Sequence, residues 1–307
     1  MHRRLEVALA STPLFFEPVP PPARAPPDVA EARLRSVGAL LGSVPRLDAV
    51  NVPELVDENH EGQPYYRTGD PRVFARGLGE ILGCDAVVNK IVAHLDPSRL
   101  RTWAEETARS GLRHLVLVGG SSRYIPYPGP SVAEADEIVG PILAGHDGRL
   151  GNVAIPQRTG EGHRMLAKTR AGARFFTTQL VFDPGSVLRL LREYDQWCRR
   201  ANVVPATVLL SVAPLADEAD VDFARWFGAE IPESAERAIL AGAESDAVAR
   251  SIDRALAVWE EVERVVDDEA IEVPLGVNVE QISARHLDAA GTLLRRLAER
   301  LGPAASG

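Results

Sequence analysis

The sequence predicts an α/β chain folded as a (β/α)8 TIM barrel, with extra helices between strands 7 and 8. Short apolar, β-branched runs alternate with longer amphipathic segments, the pattern of parallel strands joined by crossover helices. Eight such runs occur, where an open doubly wound sheet would usually show fewer. The 307 residues accommodate a barrel of about 250 residues, so residues 1–307 are expected to form a single domain.

In chain order the predicted strands are 14–18, 49–54, 86–93, 114–120, 151–156, 174–181, 206–213 and 271–279. Residues 18–27, rich in proline, read as a loop after the first strand, because proline suits neither a helix interior nor a sheet ladder. After Pro97 the spacing predicts a helix, with Ser98 capping its first turn and Gly111 ending it. Another opens after Asp183 with Pro184 at an early position that needs no amide donor. Residues 214–270 read as two or three helices inserted at the catalytic face.

Hydrophobic residues at 45% and charged residues at 25% are the balance of a globular protein with a large core. A net charge of −9 argues against affinity built on nucleic-acid phosphates and favours a small-molecule partner. Cys84 and Cys198 lie far apart and outside any C-x-x-C pattern, so neither a disulfide framework nor a metal site is expected. The N-terminus places basic residues before an apolar run, but Glu6 and Pro13 interrupt it. No stretch approaches the roughly 18 apolar residues of a membrane span, and a cytoplasmic location is expected, without membrane contact.

In this fold chemistry sits at the carboxyl ends of the strands. The polar residues there are Glu17, Asn51, Glu54, Asn89, Lys90, Gln157, Gln179, Ser211 and Asn278, with the turn Gly119-Gly120-Ser121. Glu17 is a lone carboxyl in Leu14-Phe15-Phe16-Glu17-Pro18. Desolvation there would raise its pKa, as a general acid requires, and a structural ion pair with an arginine is the alternative. Glu54 reads either as a ligand for an amino group or as half of a salt bridge. Gln179, in an otherwise apolar run, must find a partner, either a ligand ring edge or a backbone carbonyl, because an unpaired amide costs about 1–3 kcal/mol. The Gly119-Gly120-Ser121 turn offers backbone amides to a phosphate but lacks the dinucleotide and P-loop patterns. Tyr65, Tyr66, Tyr124 and Tyr127 fall in loops of the same face, where a flat heterocycle could stack. His94 and His114 read as core-edge residues. Neither an H-E-x-x-H nor a G-x-S-x-G pattern is present.

Phe16-Glu17-Pro18-Val19-Pro20-Pro21 resembles the first-strand motif of the methylenetetrahydrofolate reductase family, whose glutamate is the catalytic acid. Residues 111–120 are similar to the family's fourth strand, and residues 275–293 to its last strand and helix, with Asn278 in the Leu-Asn position. Residues 168–183 are the closest match. There the resemblance implies that Gln179 contacts folate and nicotinamide, and that Lys168 stands where flavoprotein members help bind flavin. Flavin-dependent members carry Arg-Gly-Asp where this chain has Gly119-Gly120-Ser121, and a Thr-rich turn where it has Asn51-Val52-Pro53-Glu54. The resemblance therefore implies a divergent branch in which NADH or NADPH passes hydride directly to 5,10-methylenetetrahydrofolate, with FAD absent. Glu17 would be the acid, with Asn51, Glu54, Tyr124, Gln179 and Asn278 around the substrate and Lys168, Gly119, Gly120 and Ser121 around the dinucleotide. An FAD-dependent reductase and a non-catalytic folate-binding barrel are the alternatives.

Overall fold

A computed structural model describes residues 5–59, 61–122 and 124–303. Its centre is a closed, all-parallel eight-stranded barrel: β1 (Leu14–Glu17), β2 (Ala49–Val52), β3 (Asp85–Ile91), β4 (His114–Val118), β5 (Arg149–Ala154), β6 (Ala173–Thr178), β7 (Thr207–Val212) and β8 (Leu275–Glu280). The strands follow one another round the barrel in sequence order. Closure is made by β1, which pairs with β2 on one side and with β8 on the other.

Single crossover helices follow the first six strands, at Pro27–Gly42, Pro71–Leu82, Pro97–Arg109, Val132–Ala144, Glu161–Arg170 and Pro184–Ala201, and Leu287–Leu301 follows the eighth. After β7 come three helices, Glu218–Trp226, Glu233–Leu240 and Ala247–Asp268, as the length of that connection predicts. Local chemistry sets many of the ends. Proline opens the helices at Pro71, Pro97 and Pro184, and Ser131 with Glu134 forms a capping box. The helix beginning at Pro97 is capped by the Asp96 carboxylate, which accepts from the amides of Ser98 and Arg99, rather than by Ser98 itself.

Strand alternation divides the apolar residues into two layers. Leu14, Phe16, Val50, Val52, Val88, Leu115, Leu117, Phe176, Val208, Leu210, Val277 and Val279 face outward into the core beneath the helices. Phe15, Ala49, Val87, Val116, Phe175 and Leu209 face inward, and Leu5 and Leu9 of the short helix Leu5–Leu9 join them to fill the lower barrel. Gly151 makes room for this plug, since a Cβ there would lie 2.5 Å from the Phe175 ring. A third cluster, including Leu180, Phe182, Leu215, Val221, Ile231 and Ile239, seats the inserted helices on the barrel rim.

The largest shifts from the predicted boundaries fall on the eighth and sixth strands. The eighth strand begins at Leu275 rather than residue 271, after Pro274, which has no amide hydrogen for a ladder, and it runs one residue further, to Glu280. The sixth ends at Thr178, which leaves Gln179 just beyond the sheet. The chain after β2 also forms an antiparallel hairpin, Val56–Glu58 with Pro64–Tyr66, that the residue pattern did not announce. Among the described residues no helix is long and apolar enough to cross a membrane.

Phe15 is fully buried and meets Phe175 edge to face at 6.0 Å between ring centroids. Phe15→Ala is expected to cost about 3–5 kcal/mol, the range for a truncated core aromatic, read as a lower urea midpoint with an unchanged slope.

Candidate functional site

Above the apolar plug the inward positions turn polar. Asn51, Ser211 and Asn278 are fully buried there, as is most of Asn89 and Thr177. Glu17 and Glu280 end β1 and β8 and stand opposite each other in the register of those strands. Asn51 donates from Nδ2 to Glu17 Oε2 at 2.6 Å, and Asn278 Nδ2 reaches the same oxygen at 3.0 Å. Asn278 Nδ2 also lies 3.1 Å from Ser211 Oγ and 3.2 Å from Glu280 Oε1. Both amides therefore converge on one oxygen of Glu17, and among the described residues its Oε1 has no hydrogen-bond partner. The amide oxygens of Asn51, Asn89 and Asn278 are buried and likewise have no partner among the described residues.

Burial raises the pKa of Glu17 well above the ordinary carboxylate value. The neighbouring Glu280 raises it further, while the Asn278 and Asn51 amides partly oppose the shift. Burial pushes Glu280 up to about 7 against hydrogen bonds from Ser211 and Asn278. A carboxyl whose pKa is raised well above the ordinary value, with one oxygen free of hydrogen-bond partners among the described residues, is equipped to protonate a bound ligand.

Sequence reasoning identified Glu17, Asn51 and Asn278 separately, and the structure brings them into direct contact. It missed Glu280, because the eighth strand was ended at Val279. Strict alternation from Asn278 would have placed the next inward side chain at Glu280.

The other expected site residues have partners within the protein. Glu54 forms a buried ion pair with Lys90 at 2.6 Å and accepts from the Ile91 amide at 2.8 Å, the salt-bridge alternative. Gln179 donates from Nε2 to the Phe227 carbonyl at 3.1 Å and accepts the Leu180 amide at 2.9 Å, so its partner here is a backbone carbonyl. Lys168 donates to the Val153 carbonyl at 3.0 Å, and burial lowers its pKa against the pull of Glu161 and Asp136. Tyr124 is 80% exposed on its loop.

The Gly119-Gly120-Ser121 turn packs against the hairpin. A Cβ on Gly120 would lie 2.3 Å from the Tyr127 ring, so only glycine fits beneath it. Ser121 Oγ and Tyr127 Oη both donate to Glu58 Oε2 at 2.5 Å, and His94 Nε2 lies 2.9 Å from Glu58 Oε1. Burial would raise Glu58, but the hydrogen bonds of Ser121 and Tyr127 and the His94 charge hold it below the usual carboxylate value. His94, read from sequence as a core-edge residue, is thus half of a buried pair that fastens the hairpin to the barrel. Among the described residues no group of three or more metal-ligating side chains forms a metal site.

The chain's likeness to known proteins lies in its fold. No family model matches it, and no curated protein does. Among solved structures it is similar to an uncharacterized protein from Clostridium thermocellum that binds two copies of 5-methyl-5,6,7,8-tetrahydrofolic acid. That match has 16% identity and a TM-score of 0.77, over 95% of this chain and 98% of that one. It is also similar to the spore cortex-lytic enzyme SleL of Bacillus cereus, at 11% identity and a TM-score of 0.51, over 92% of this chain and 74% of that one.

Two predictions follow from these contacts. Removing one partner of the buried Glu54–Lys90 pair strands a charge, so Lys90→Met is expected to cost about 3–5 kcal/mol, and adding Glu54→Leu should restore much of the loss in the same urea titration. The second concerns pH. Carboxyls whose folded pKa lies above the unfolded value favour the fold while protonated, and that advantage is lost as pH rises from 4.5 through about 7 and beyond. The double variant Glu17→Gln/Glu280→Gln should therefore gain stability over the native protein as pH rises through this window. A stability difference independent of pH would show that the carboxyls are not held neutral.

Proposed function

We propose that this chain reduces 5,10-methylenetetrahydrofolate to 5-methyltetrahydrofolate by direct hydride transfer from NADH or NADPH, with Glu17 as general acid. The observation that carries this reading is the Glu17 carboxyl itself: desolvated, with its pKa raised well above the ordinary value, and with both amide donors on Oε2 and none on Oε1 among the described residues. The acid proton would reside on Oε1, because Oε2 already accepts two N–H groups. Delivery of that proton to N10 assists opening of the five-membered ring to the 5-iminium cation, and hydride then adds to the methylene carbon. Support for the substrate class comes from the Clostridium thermocellum protein, which shares the fold along nearly its whole length and binds 5-methyltetrahydrofolic acid in two copies. Hydride transfer needs the two flat heterocycles stacked with about 3–3.5 Å between reacting carbons.

Because Glu54 is committed to Lys90, the N–H edge of the pterin falls to the unpartnered amide oxygens of Asn51, Asn89 and Asn278. Gln179 sits at the rim beneath the inserted helices and would turn from the Phe227 carbonyl to the pterin or the nicotinamide carboxamide. Tyr124 would cover the stack, and Lys168 would meet dinucleotide phosphate on release from Val153. The resemblance associates FAD with the turn after the fourth strand; here Gly120 lies under Tyr127 and Ser121 bonds Glu58, contacts within the protein that support a reading without FAD.

Purified protein is expected to be colourless and to oxidise NADH or NADPH on addition of methylenetetrahydrofolate, with intersecting double-reciprocal lines. Parallel lines with stoichiometric FAD would overturn the direct transfer, and folate binding without turnover would make the chain a carrier. Glu17→Gln should bind folate nearly as well as the native protein and turn over roughly 10²-fold more slowly, the scale of a lost general acid.

A further inference from the structure

Glu280 has no place in the reaction described above, yet it is built into the same group of contacts. Asn278 Nδ2 carries two hydrogens and lies within reach of three oxygens, Glu17 Oε2 at 3.0 Å, Ser211 Oγ at 3.1 Å and Glu280 Oε1 at 3.2 Å. With one hydrogen directed to Ser211, the two carboxyls share the other. Two carboxylates crowded on one N–H, with no cation bonded to either among the described residues, repel each other strongly in a desolvated site. Among the described residues the groups that bond or couple to the Glu280 carboxyl are Glu17 from β1, Ser211 from β7 and Asn278 on its own strand, and of these only Glu17 titrates. Arg33, which reaches the residue after Glu280, is engaged by the Val19 carbonyl and Gln281.

We propose that Glu280 is the positioning residue for the acid proton: Glu17 and Glu280 hold one proton between them through the neutral range, and the ionised Glu280 keeps it on Glu17. The role rests on the reductase reading for its chemistry, while the proton inventory stands on the geometry alone. When Glu17 gives its proton to N10, the Glu17 O–H bond breaks, the N10–H bond forms, and the site is left with two carboxylates. Their repulsion then drives uptake of one proton from water, which restores the acid for the next cycle. The substrate thus meets a site that carries one negative charge and one deliverable proton. This is suited to a ligand that develops positive charge as it is protonated, as an iminium-forming amine does. Coupling of this kind makes the titration a property of the pair.

The test pairs a pH profile with a spectroscopic proton count. In Glu280→Gln the repulsion is gone, so Glu17 ionises more readily, and the basic limb of the kcat/KM profile should move to lower pH. Activity would then be low at neutral pH and recover as pH falls. Glu280→Asp, which keeps the charge, should hold the limb near its native position. A purely structural role would instead lower kcat/KM by the same factor at every pH, and that result would overturn the proposal. Independently, infrared difference spectra of the resting native protein against Glu17→Gln should show one protonated carboxyl at neutral pH that persists above the pH at which it is lost in Glu280→Gln. Two protonated or two ionised carboxyls across that range would also overturn it. If the native protein shows the single protonated carboxyl but no reductase turnover, the reductase reading fails and the shared proton stands.

Discussion

Closure of the barrel between β1 and β8 is the constraint on which the site depends. In a closed parallel sheet each strand has two neighbours and a side-chain period of two, so joining the first strand to the last fixes which residues meet inside. Here the register sets Glu17 against Glu280 and Phe15 against Asn278. A slip of one residue would turn the Glu17 carboxyl outward toward the helices and bring Phe16 into the lumen. The apolar pattern of the outer face forbids this, because Leu14 and Phe16 on β1 and Val277 and Val279 on β8 are all fully buried beneath the helical layer.

That constraint divides the barrel interior in two. The lower half is closed by Phe15, Phe175, Val116 and Leu209 with Leu5 and Leu9 of the preceding helix, and this plug supplies the low-dielectric floor. The upper half carries amides, a hydroxyl and two carboxyls, and among the described residues no cation is bonded to the acids. Desolvation by burial is the main physical origin of their raised pKa values, and the charge of Glu280 adds to it at Glu17. The cations of the rim are spent on structure. Lys90 anchors Glu54 at the end of β2, and Arg285 ties the loop after β8 to Asp217 and Asp220 of the insertion, where His286 also meets Asp220. Rigid loop attachment and an uncompensated acid pair are thus two results of one distribution of charge.

Much of the architecture was legible in the chain. Eight β-branched runs, prolines at helix starts and the long connection at 214–270 carry the barrel and its insertion, because local propensity and period agree with the tertiary arrangement. Glu17 was legible as well, since a carboxyl set among Leu14, Phe15 and Phe16 announces desolvation. The residues whose contacts the sequence left open are those whose partners are remote. Glu54 and Lys90 meet across neighbouring strands, Glu58 meets Ser121 and Tyr127 from another loop, and Gln179 meets Phe227 of the insertion. Polar residues at strand ends look alike in a sequence, whether they face a ligand or a neighbouring loop.

By itself the sequence determined the fold class, the polar character of the strand ends and the desolvated carboxyl at residue 17, because each follows from periodicity and immediate neighbours. Only the tertiary structure decided that Glu280 stands beside that acid and that Asn51 and Asn278 bond the same oxygen of it. It alone decided, too, that the Gly119-Gly120-Ser121 turn is occupied by Tyr127 and Glu58. Each is a contact between segments far apart in the chain. It exists because barrel closure brings the ends of the sheet together, which no local pattern records.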